Sequence, residues 1–219
     1  AKRDKRCPVC RADVSLRQVL HLEVPENLAG PATECGRYGS KIMRLLEFLS
    51  NLHAREPEAK VILFVQWEDL KKKVASALQE FKVQHSVLQG SVWARQRAIE
   101  KFQFGKSEEG CNLLLLSLQD SASGTNLTAA SHVILFHPVV AGSREASVAC
   151  EMQAIGRALR AGQEREVKIW RFVVVGTAEQ KVTEDHQQDL WQRFRAEVSA
   201  SSSSAARADV LPDFRFVVV

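Results

Sequence analysis

The sequence predicts an α/β fold in which a parallel sheet carries helices on both faces. Short continuous apolar runs, typical of strands buried on both sides, alternate with segments whose apolar residues recur at helical spacing. This strand-helix order favours parallel strands joined by crossover helices. Hydrophobic residues make up 45% and charged residues 26% of the 219 residues, a balance that is ordinary for globular domains.

The individual elements follow from the same patterns. The predicted strands are 60–66, 83–88, 112–116, 131–136 and 166–175. The predicted helices are one that begins at Ser40, then 67–81, 95–104, and one from Thr177 to about Ala196. In the first helix the apolar stripe is Ile42, Leu45, Leu46, Leu49 and Leu52. Ser40 and Thr177 are suitable N-caps because their hydroxyl oxygens accept hydrogen bonds from the first turn.

Composition restricts the classes of protein to which the chain belongs. The net charge is +4 and the pI is about 8.9, which permits a nucleic-acid partner. No apolar run approaches the roughly 18 residues that span a bilayer, so we expect no membrane partner. The five cysteines are scattered, which argues against a disulfide framework and favours a reducing, intracellular compartment.

The first residues contain a pair of cysteines. Cys7 and Cys10 have the spacing at which two thiolates reach one zinc ion, at about 2.3 Å. A structural zinc needs four ligands and this pair supplies only part of them, so redox cysteines and incidental cysteines stay open as alternatives. We expect this segment to hold no metal in the isolated chain. Residues 12–38 include several glycines and prolines, which predicts a linker.

Arg157 and Arg160 stand three residues apart, a spacing that would place them on one face of a helix. Guanidinium groups are planar, permanently charged and rich in donors, which suits phosphate oxygens. Gly156 removes a side chain beside the first arginine and allows a backbone or a ligand to come close. A solvated basic helix face is the alternative.

The segment from Ser117 to Thr128 follows the third strand and consists mostly of small hydroxyl and amide residues. Short polar side chains and open backbone N–H groups suit a phosphate backbone and do not read bases. Open α/β sheets bind ligands beyond the carboxyl ends of their strands, so we expect this loop and the arginine pair at that edge. A plain connector is the alternative, and about a dozen residues is long for one.

The segment Gln153-Ala-Ile-Gly-Arg157-Ala-Leu-Arg160-Ala-Gly-Gln163 resembles motif VI of the SWI/SNF-type helicase-like ATPases. Four further segments resemble other motifs of that family: 61–67, 85–102, 117–134 and 176–179. The resemblance covers about residues 39–196. It implies a RecA-like lobe of the P-loop NTPase type, the C-terminal lobe of a DNA-dependent ATPase.

The resemblance also implies roles for individual residues. Motif VI would supply Arg157 and Arg160 as catalytic arginine fingers, which stabilise the charge that develops in phosphoryl transfer. The residues implied in ATP binding are Gln153, Gly156, Gly124 and Asn126. The residues implied in DNA binding are Ser117, Thr125, Thr128, Arg95 and Gln66. The residues alone leave a solvated helix start open for Arg95, and for Trp67 they favour a core or strand-end aromatic over base stacking.

The sequence departs from the family pattern at three places. Residues 120–123, Asp-Ser-Ala-Ser, replace positions that are often glycine, and the aspartate would repel a phosphate. His137-Pro138 stands where the family usually has Asp-Pro, and we interpret His137 as a satisfied strand-end histidine. Residues 139–149 form a longer segment than usual and are similar to those of RING-bearing members.

Cys7-Pro-Val-Cys10-Arg11 resembles the last ligand pair of a RING finger, over residues 1–11.

The resemblance implies a longer parent protein of the chromatin-remodelling or DNA-repair type. The chain has no Gly-x-x-x-x-Gly-Lys-Ser/Thr loop and no Asp-Glu pair placed for magnesium, so ATP and Mg²⁺ would need a first lobe. The implied partners are double-stranded DNA or chromatin, that first lobe, and a ubiquitin-conjugating enzyme bound through a zinc-holding RING, all in the nucleus. The chain alone is expected to be inactive.

Two alternatives stay open. One is a non-catalytic nucleic-acid or protein docking module that keeps the fold without an ATPase cycle. The other is a fragment whose role is chiefly ubiquitin ligation, which the zinc content of a chain extended upstream would test.

Residues 197–219 are predicted to be a disordered or apolar tail. Serine and alanine dominate residues 199–209, which predicts disorder. The last five residues, Arg215–Val219, repeat Arg171–Val175, and we have no physical account of this repeat. An apolar end of this kind risks strand pairing with another chain.

Overall fold

The computed structural model describes residues 35–105, 111–118, 125–188 and 214–219. The chain divides into two units, Ala1–Arg37 and Tyr38–Val219. The described residues of the first unit belong to a short helix, α1 (Cys35–Tyr38), at the end of the predicted linker.

The second unit contains the predicted alternation of strands and helices. The helices that follow α1 in the described residues are α2 (Ser40–Arg55), α3 (Glu68–Glu80), α4 (Val92–Phe104), α5 (Arg144–Ile155) and α6 (Ala178–His186). The strands are β1 (Val61–Val65), β2 (Ser86–Val87), β3 (Leu113–Ser117), β4 (His132–Leu135), β5 (Lys168–Val173) and β6 (Phe214–Val218). None of the described helices is long and apolar enough to cross a membrane.

All described strands form one sheet in the order β2-β3-β1-β4-β5-β6, and every neighbouring pair is parallel. β1 lies at the centre, where Val61 stands opposite Leu113 of β3 and His132 of β4. Because the strands are parallel, all of them end at one edge, the carboxyl edge, and begin at the other, the amino edge. The predicted fold class is confirmed.

The core has two layers, one on each face of the sheet. Alternate residues of β1 point to opposite faces: Val61, Leu63 and Val65 pack in one buried cluster, and Ile62 and Phe64 pack in the other. The first cluster includes the whole predicted stripe of α2, from Ile42 to Leu52, together with buried residues of α3. The second cluster includes Phe102 of α4 and Ile155 of α5. The sheet is therefore covered by helices on both sides.

The starts of two helices differ from the prediction, one in its N-cap residue and one in its first helical residue. Ser40 is the first helical residue of α2 and not its N-cap, because Gly39, with φ 81°, occupies the N-cap position. α4 begins at Val92, earlier than the predicted 95, because the Ser91 hydroxyl accepts a hydrogen bond from the Ala94 N–H at 3.3 Å. Local hydrogen bonding at the first turn decides these boundaries, and apolar periodicity does not report it.

The segment 139–149 contributes the first half of α5, a helix that was not predicted from the sequence. Ser143 caps this helix and accepts a hydrogen bond from the Ala146 N–H at 3.1 Å. At α6 the Thr177 hydroxyl accepts a hydrogen bond from the Glu179 N–H at 3.2 Å, as predicted. α6 ends at His186 rather than near Ala196, because the backbone of Gln187 leaves the helical region at φ −126°.

The apolar end of the chain is a strand of the same sheet. β6 pairs with β5 in parallel, and the Val219 N–H donates to the Val173 carbonyl at 3.1 Å. Val217 is 7% exposed and belongs to the first core cluster. The apolar end that was expected to risk pairing with another chain pairs instead with β5 of its own sheet, and residues 199–209 lie outside the described ranges.

Candidate functional site

The arginine pair lies in a turn that follows α5. The helix ends at Ile155, Gly156 is its C-cap, and the Arg157 N–H donates to the Ala154 carbonyl at 3.3 Å. Arg157 is buried, at 5% exposure, whereas Arg160 is exposed. The prediction that both arginines share one helix face is wrong, because the regular helix has already ended when the chain reaches them. A Cβ at Gly156 would stand 3.1 Å from the Met152 carbonyl oxygen, which explains why glycine suits this C-cap.

The guanidinium of Arg157 is held by neutral oxygen atoms. Its Nη1 donates to the Thr125 hydroxyl at 3.1 Å and to the Thr125 carbonyl at 3.4 Å. Its Nε is buried and makes no hydrogen bond within the described part of the chain, and no described carboxylate forms an ion pair with it. Burial and the charge of Arg160 lower the pKa of Arg157, but an arginine stays charged at neutral pH. A buried cation with an unused donor is a place where an anion would be stabilised.

The turn lies at the amino edge of the sheet, so the prediction that it lies at the carboxyl edge is wrong. The Leu127 N–H donates to the Arg157 carbonyl at 3.0 Å, and Gln163 Nε2 donates to the Ala130 carbonyl at 2.9 Å. Leu127 and Ala130 belong to the segment just before β4 begins, which is the edge where the strands start. α5 starts beyond the carboxyl end of β4 and runs back for 12 residues, about 18 Å. A residue just past the end of a crossover helix therefore reaches the opposite edge.

Three of the four predicted ATP-binding residues surround this turn. Gln153 is exposed in the last turn of α5, Gly156 ends that helix, and Asn126 is exposed beside Leu127, whose N–H is bonded to Arg157. Gly124 lies outside the described residues. The structure thus gathers the described members of this predicted set in one place.

A polar cavity of about 520 Å³ opens at the same edge. Asn126, Thr128, Gly162 and Gln163 line it. Lys60 also lines it, and its Nζ donates to the Phe102 carbonyl at 2.6 Å and the Gly105 carbonyl at 3.1 Å, at the end of α4. Thr128, predicted to contact DNA, therefore stands with the predicted ATP-binding residues.

Glu151 fixes the position of α5 and was not predicted from the sequence. This side chain is 2% exposed, and its Oε2 accepts hydrogen bonds from Arg171 Nη2 at 3.1 Å and Gln187 Nε2 at 3.0 Å. Its Oε1 accepts a hydrogen bond from the Val139 N–H at 3.4 Å. One carboxylate therefore ties the helix to β5, to the end of α6 and to the loop after β4. The signal in the sequence is a glutamate between residues that face the core.

The predicted DNA-binding residues do not form one surface. Gln66 and Ser117 lie at the carboxyl ends of β1 and β3, and Arg95 lies in the first turns of α4 on the same side. Thr125 is bonded to Arg157, and Thr128 lies at the amino edge. Loop residues that are close in sequence are separated here because the chain crosses from one edge of the sheet to the other between β3 and β4.

Two of these residues have contacts within the protein that the sequence does not reveal. Ser117 is fully buried at the end of β3, so its side chain is not open to the DNA contact that the resemblance implied. Gln66 Nε2 donates to the Val140 carbonyl at 2.6 Å, and its Oε1 accepts from the Val140 N–H at 3.0 Å. The amide of Gln66 thus positions the segment that leads into α5.

His137 and Trp67 form an aromatic pair at the carboxyl edge. His137 Nε2 accepts a hydrogen bond from the Gln66 N–H at 2.9 Å, and its Nδ1 lies 3.1 Å from the Pro138 carbonyl. A neutral ring with its proton on Nδ1 satisfies both contacts. The indole of Trp67 stacks on this ring, with centroids 4.5 Å apart and planes inclined by 20°. Burial lowers the pKa of His137 below its ordinary value, and the interpretation of a satisfied strand-end histidine is confirmed.

The predicted zinc ligands Cys7 and Cys10 lie outside the described residues, and their role stays a prediction. Within the described ranges, no group of three or more histidine, cysteine, aspartate or glutamate side chains is arranged to hold a metal ion.

Comparison with protein families identifies the domain that carries this site. The sequence model of the helicase conserved C-terminal domain matches residues 40–162, more than half of the chain. The chain belongs to this family. The matched part of the helicase C-terminal domain runs from the start of α2 through the arginine turn.

Several curated proteins contain a region similar to this helicase C-terminal domain. The DNA repair protein RAD5A of Arabidopsis thaliana is 36% identical over 177 residues, which is 80% of this chain and 16% of the relative. The DNA (cytosine-5-)-methyltransferase DMT5 of Cryptococcus neoformans is 34% identical over 159 residues, 72% of this chain and 6% of the relative. The E3 ubiquitin-protein ligase SHPRH of Mus musculus is 25% identical over 208 residues, 94% of this chain and 12% of the relative. The chain therefore spans only a small part of each of these relatives.

Solved structures share the fold. The C-terminal part of the Fun30 ATPase domain superposes with a TM-score of 0.59 at 23% identity, over 72% of this chain and 48% of that one. The helicase domain of Hef from Pyrococcus furiosus superposes with a TM-score of 0.52 at 20% identity, over 68% of this chain and 28% of that one. The fold is that of a RecA-like helicase C-terminal lobe.

Proposed function

We propose that this chain is the second lobe of a SWI/SNF-type, DNA-dependent ATPase, and that its arginine turn meets the phosphates of ATP held by a first lobe. The observation that carries the proposal is the buried charge of Arg157 beside the exposed Arg160, without a described carboxylate on Arg157. The relatives are named as a DNA repair protein, a DNA methyltransferase and a ubiquitin ligase. We therefore also propose that the protein acts on chromosomal DNA in the nucleus.

The residues of the turn fit a chain of phosphates. Arg160 is exposed, so its guanidinium can contact an anion that approaches from solvent. Arg157 adds positive charge from a buried position, and its Nε is an unused buried donor. ATP with Mg²⁺ would supply the transferable phosphoryl group and further positive charge beside it. The contribution of this chain is to hold two cations, already oriented, where negative charge develops.

The contacts that fix α5 also fix the position of the arginine turn. Glu151 links the helix to β5 and α6, and the Leu127–Arg157 hydrogen bond attaches the turn to the segment before β4. Charges that are fixed before the reaction need no reorganisation when it occurs, which is the condition for electrostatic catalysis.

Substitution of Arg160 tests the proposal in the full-length protein. We expect Arg160→Ala to lower DNA-stimulated ATP hydrolysis on the order of a thousandfold while the affinity for duplex DNA stays unchanged. Arg55→Ala is the matched control, because Arg55 is an exposed arginine at the end of α2 that does not line the cavity beside the arginine turn, and it should hydrolyse ATP like the wild type. Wild-type turnover in Arg160→Ala would contradict the proposal.

The same assay distinguishes the non-catalytic alternative. A wild-type protein that binds duplex DNA and hydrolyses no ATP, with or without that DNA, would select the docking module. DNA-stimulated hydrolysis that is lost only in Arg160→Ala selects the ATPase.

A further inference from the structure

The carboxyl edge carries tryptophans that the fold leaves uncovered. Trp67 is 52% exposed, Trp93 is 81% exposed, and Val92 beside it is 80% exposed. Single exposed apolar residues are common, but large aromatic side chains on one edge of a domain mark a contact surface.

Trp67 is held in one orientation. It occupies the N-cap position of α3 with an extended backbone, and one face of its indole lies on the His137 ring, 4.5 Å away. That ring is in turn fixed by the Gln66 N–H, at 2.9 Å from Nε2. The part of the indole that stays exposed therefore points in a fixed direction. An aromatic surface that is already ordered loses little conformational entropy when it binds.

Trp93 lies on the same edge in the first turn of α4. Gly90, with φ 85°, turns the chain after β2, and Ser91 caps the helix. Lys71 Nζ donates to the Leu88 carbonyl at 3.3 Å and so attaches α3 to the end of β2. In the sheet, β3 separates β2 from β1, so the two tryptophans follow strands on either side of β3.

The charges around the two indoles favour a polyanion. Arg97 is exposed one helical turn after Trp93 in α4, and the chain carries a net charge of +4. The acidic residues at the start of α3 are paired: Glu68 with Lys71 at 2.9 Å and Asp69 with Lys72 at 3.6 Å. Basic groups beside exposed aromatic rings are the pattern by which proteins bind unpaired nucleic-acid strands through stacking.

We propose that Trp67 and Trp93 stack on unpaired bases of DNA at the carboxyl edge of the sheet. The inference rests on the proposed DNA-dependent function and specifies the DNA structure that this lobe prefers. A base inside a duplex has both faces covered by its neighbours, so an indole finds an open face only where pairing is interrupted. Backbone contacts hold DNA of any structure, and the two indoles add a preference for an opened segment.

Binding of the full 219-residue chain to two labelled DNAs tests this inference, with fluorescence anisotropy as the measurement. One DNA is a fully paired duplex of about 30 base pairs, and the other is the same duplex with about five unpaired thymines in its centre. We expect the wild type to bind the interrupted duplex about tenfold more tightly. Trp67→Ala and Trp93→Ala should each lose most of this preference and keep the wild-type affinity for the paired duplex.

The control is Phe104→Ala, because Phe104 is 82% exposed at the other end of α4 and should not affect the preference. Circular dichroism verifies that each variant is folded, and if Trp67→Ala is not, Trp67→Phe and Trp93→Ala decide the matter. Equal preference in the wild type and both tryptophan variants would overturn the inference and leave the proposed function in place. No binding of the wild type to either DNA would overturn this inference, whereas the proposed function is judged by ATP hydrolysis in the full-length protein.

Discussion

At the residue scale, His137 stands where the resemblance of the sequence led us to expect an aspartate. The neutral ring accepts a hydrogen bond from Gln66, faces the Pro138 carbonyl with its other nitrogen and stacks on Trp67. An ionised aspartate could accept the first bond, but it could neither donate to Pro138 nor stack. Protonation of His137 would set a second N–H against the Gln66 N–H. The two hydrogen-bond contacts of His137 therefore require a neutral ring.

We predict that the free energy of unfolding decreases as the pH falls below the ordinary histidine pKa of about 6.5. Burial lowers the pKa of His137 in the folded state, so the unfolded state takes up the proton first as the pH falls. Lys41 opposes protonation further, and the charges of Glu179 and Glu151 favour it more weakly than burial opposes it. The stabilisation is complete above about pH 6.5 and is lost between that value and the lowered pKa of the folded state.

Urea unfolding at several values between about pH 7.5 and pH 5.5 measures this effect. His137→Gln is the comparison, because glutamine keeps a hydrogen-bond acceptor and cannot take up a proton. The wild type should lose more stability than the variant over this range, since the other histidines are the same in both proteins. Identical pH dependence in the two proteins would show that His137 is not the group responsible.

At the scale of elements, α5 is fixed by polar contacts more than by an apolar stripe. Its buried residues include Ser147 and Glu151, and the Ser147 hydroxyl accepts a hydrogen bond from the Ala141 N–H at 2.9 Å. Glu151 and Arg171 form an ion pair at 3.1 Å with side chains 3% and 5% exposed. Hydrogen bonds and ion pairs constrain direction as well as distance, so they fix the rotation of the helix and hence the place of the arginine turn.

We predict that Glu151→Gln lowers the free energy of unfolding by about 3 kcal/mol. The substitution keeps the shape of the side chain but removes the charge that compensates buried Arg171. Urea unfolding at neutral pH measures the loss. Glu47→Gln is the matched control, because Glu47 pairs with Arg44 at 2.7 Å on the exposed face of α2.

The control should cost less than about 1 kcal/mol, since solvent screens an exposed pair. Losses of equal size at the two glutamates would mean that burial does not strengthen the Glu151 contact. The helix would then need another explanation for its position.

At the scale of the whole molecule, the sequence predicts what periodicity controls and misses what chain direction and distant contacts control. The apolar stripe of α2 and the parallel sheet follow from spacing that can be counted. The position of Arg157 depends on where α5 ends, and its edge of the sheet depends on the direction in which that helix runs. The partner of Gln66 is Val140, 74 residues away, and no local pattern reveals a contact of that kind.

The two proposed sites lie at opposite edges of one sheet. The arginine turn is at the amino edge, and the proposed base-stacking tryptophans, Trp67 and Trp93, are at the carboxyl edge. α5 connects the two edges. The segment that leads into this helix contains Val140, which is bonded to Gln66, and the end of the helix leads into Arg157. The strands between the edges are buried on both faces and closely packed, so they act as a rigid support for both sites.

β6 completes the sheet beside β5, and its contribution to stability can be tested. Val217 is 7% exposed within the first core cluster, and the Val175 N–H donates to the Val219 carbonyl at 3.3 Å. Without this strand, β5 would be an open edge with unpaired backbone groups.

We predict that Val217→Asp lowers the free energy of unfolding by about 3 kcal/mol, because a carboxylate must then be desolvated in an apolar cluster. Val175→Asp is the control, since Val175 follows β5, is 46% exposed and keeps its side chain partly in water. It should cost less than about 1 kcal/mol. Urea unfolding followed by tryptophan emission measures both variants. If the two substitutions have the same small effect, β6 does not contribute to the folded sheet, and the core must end at β5.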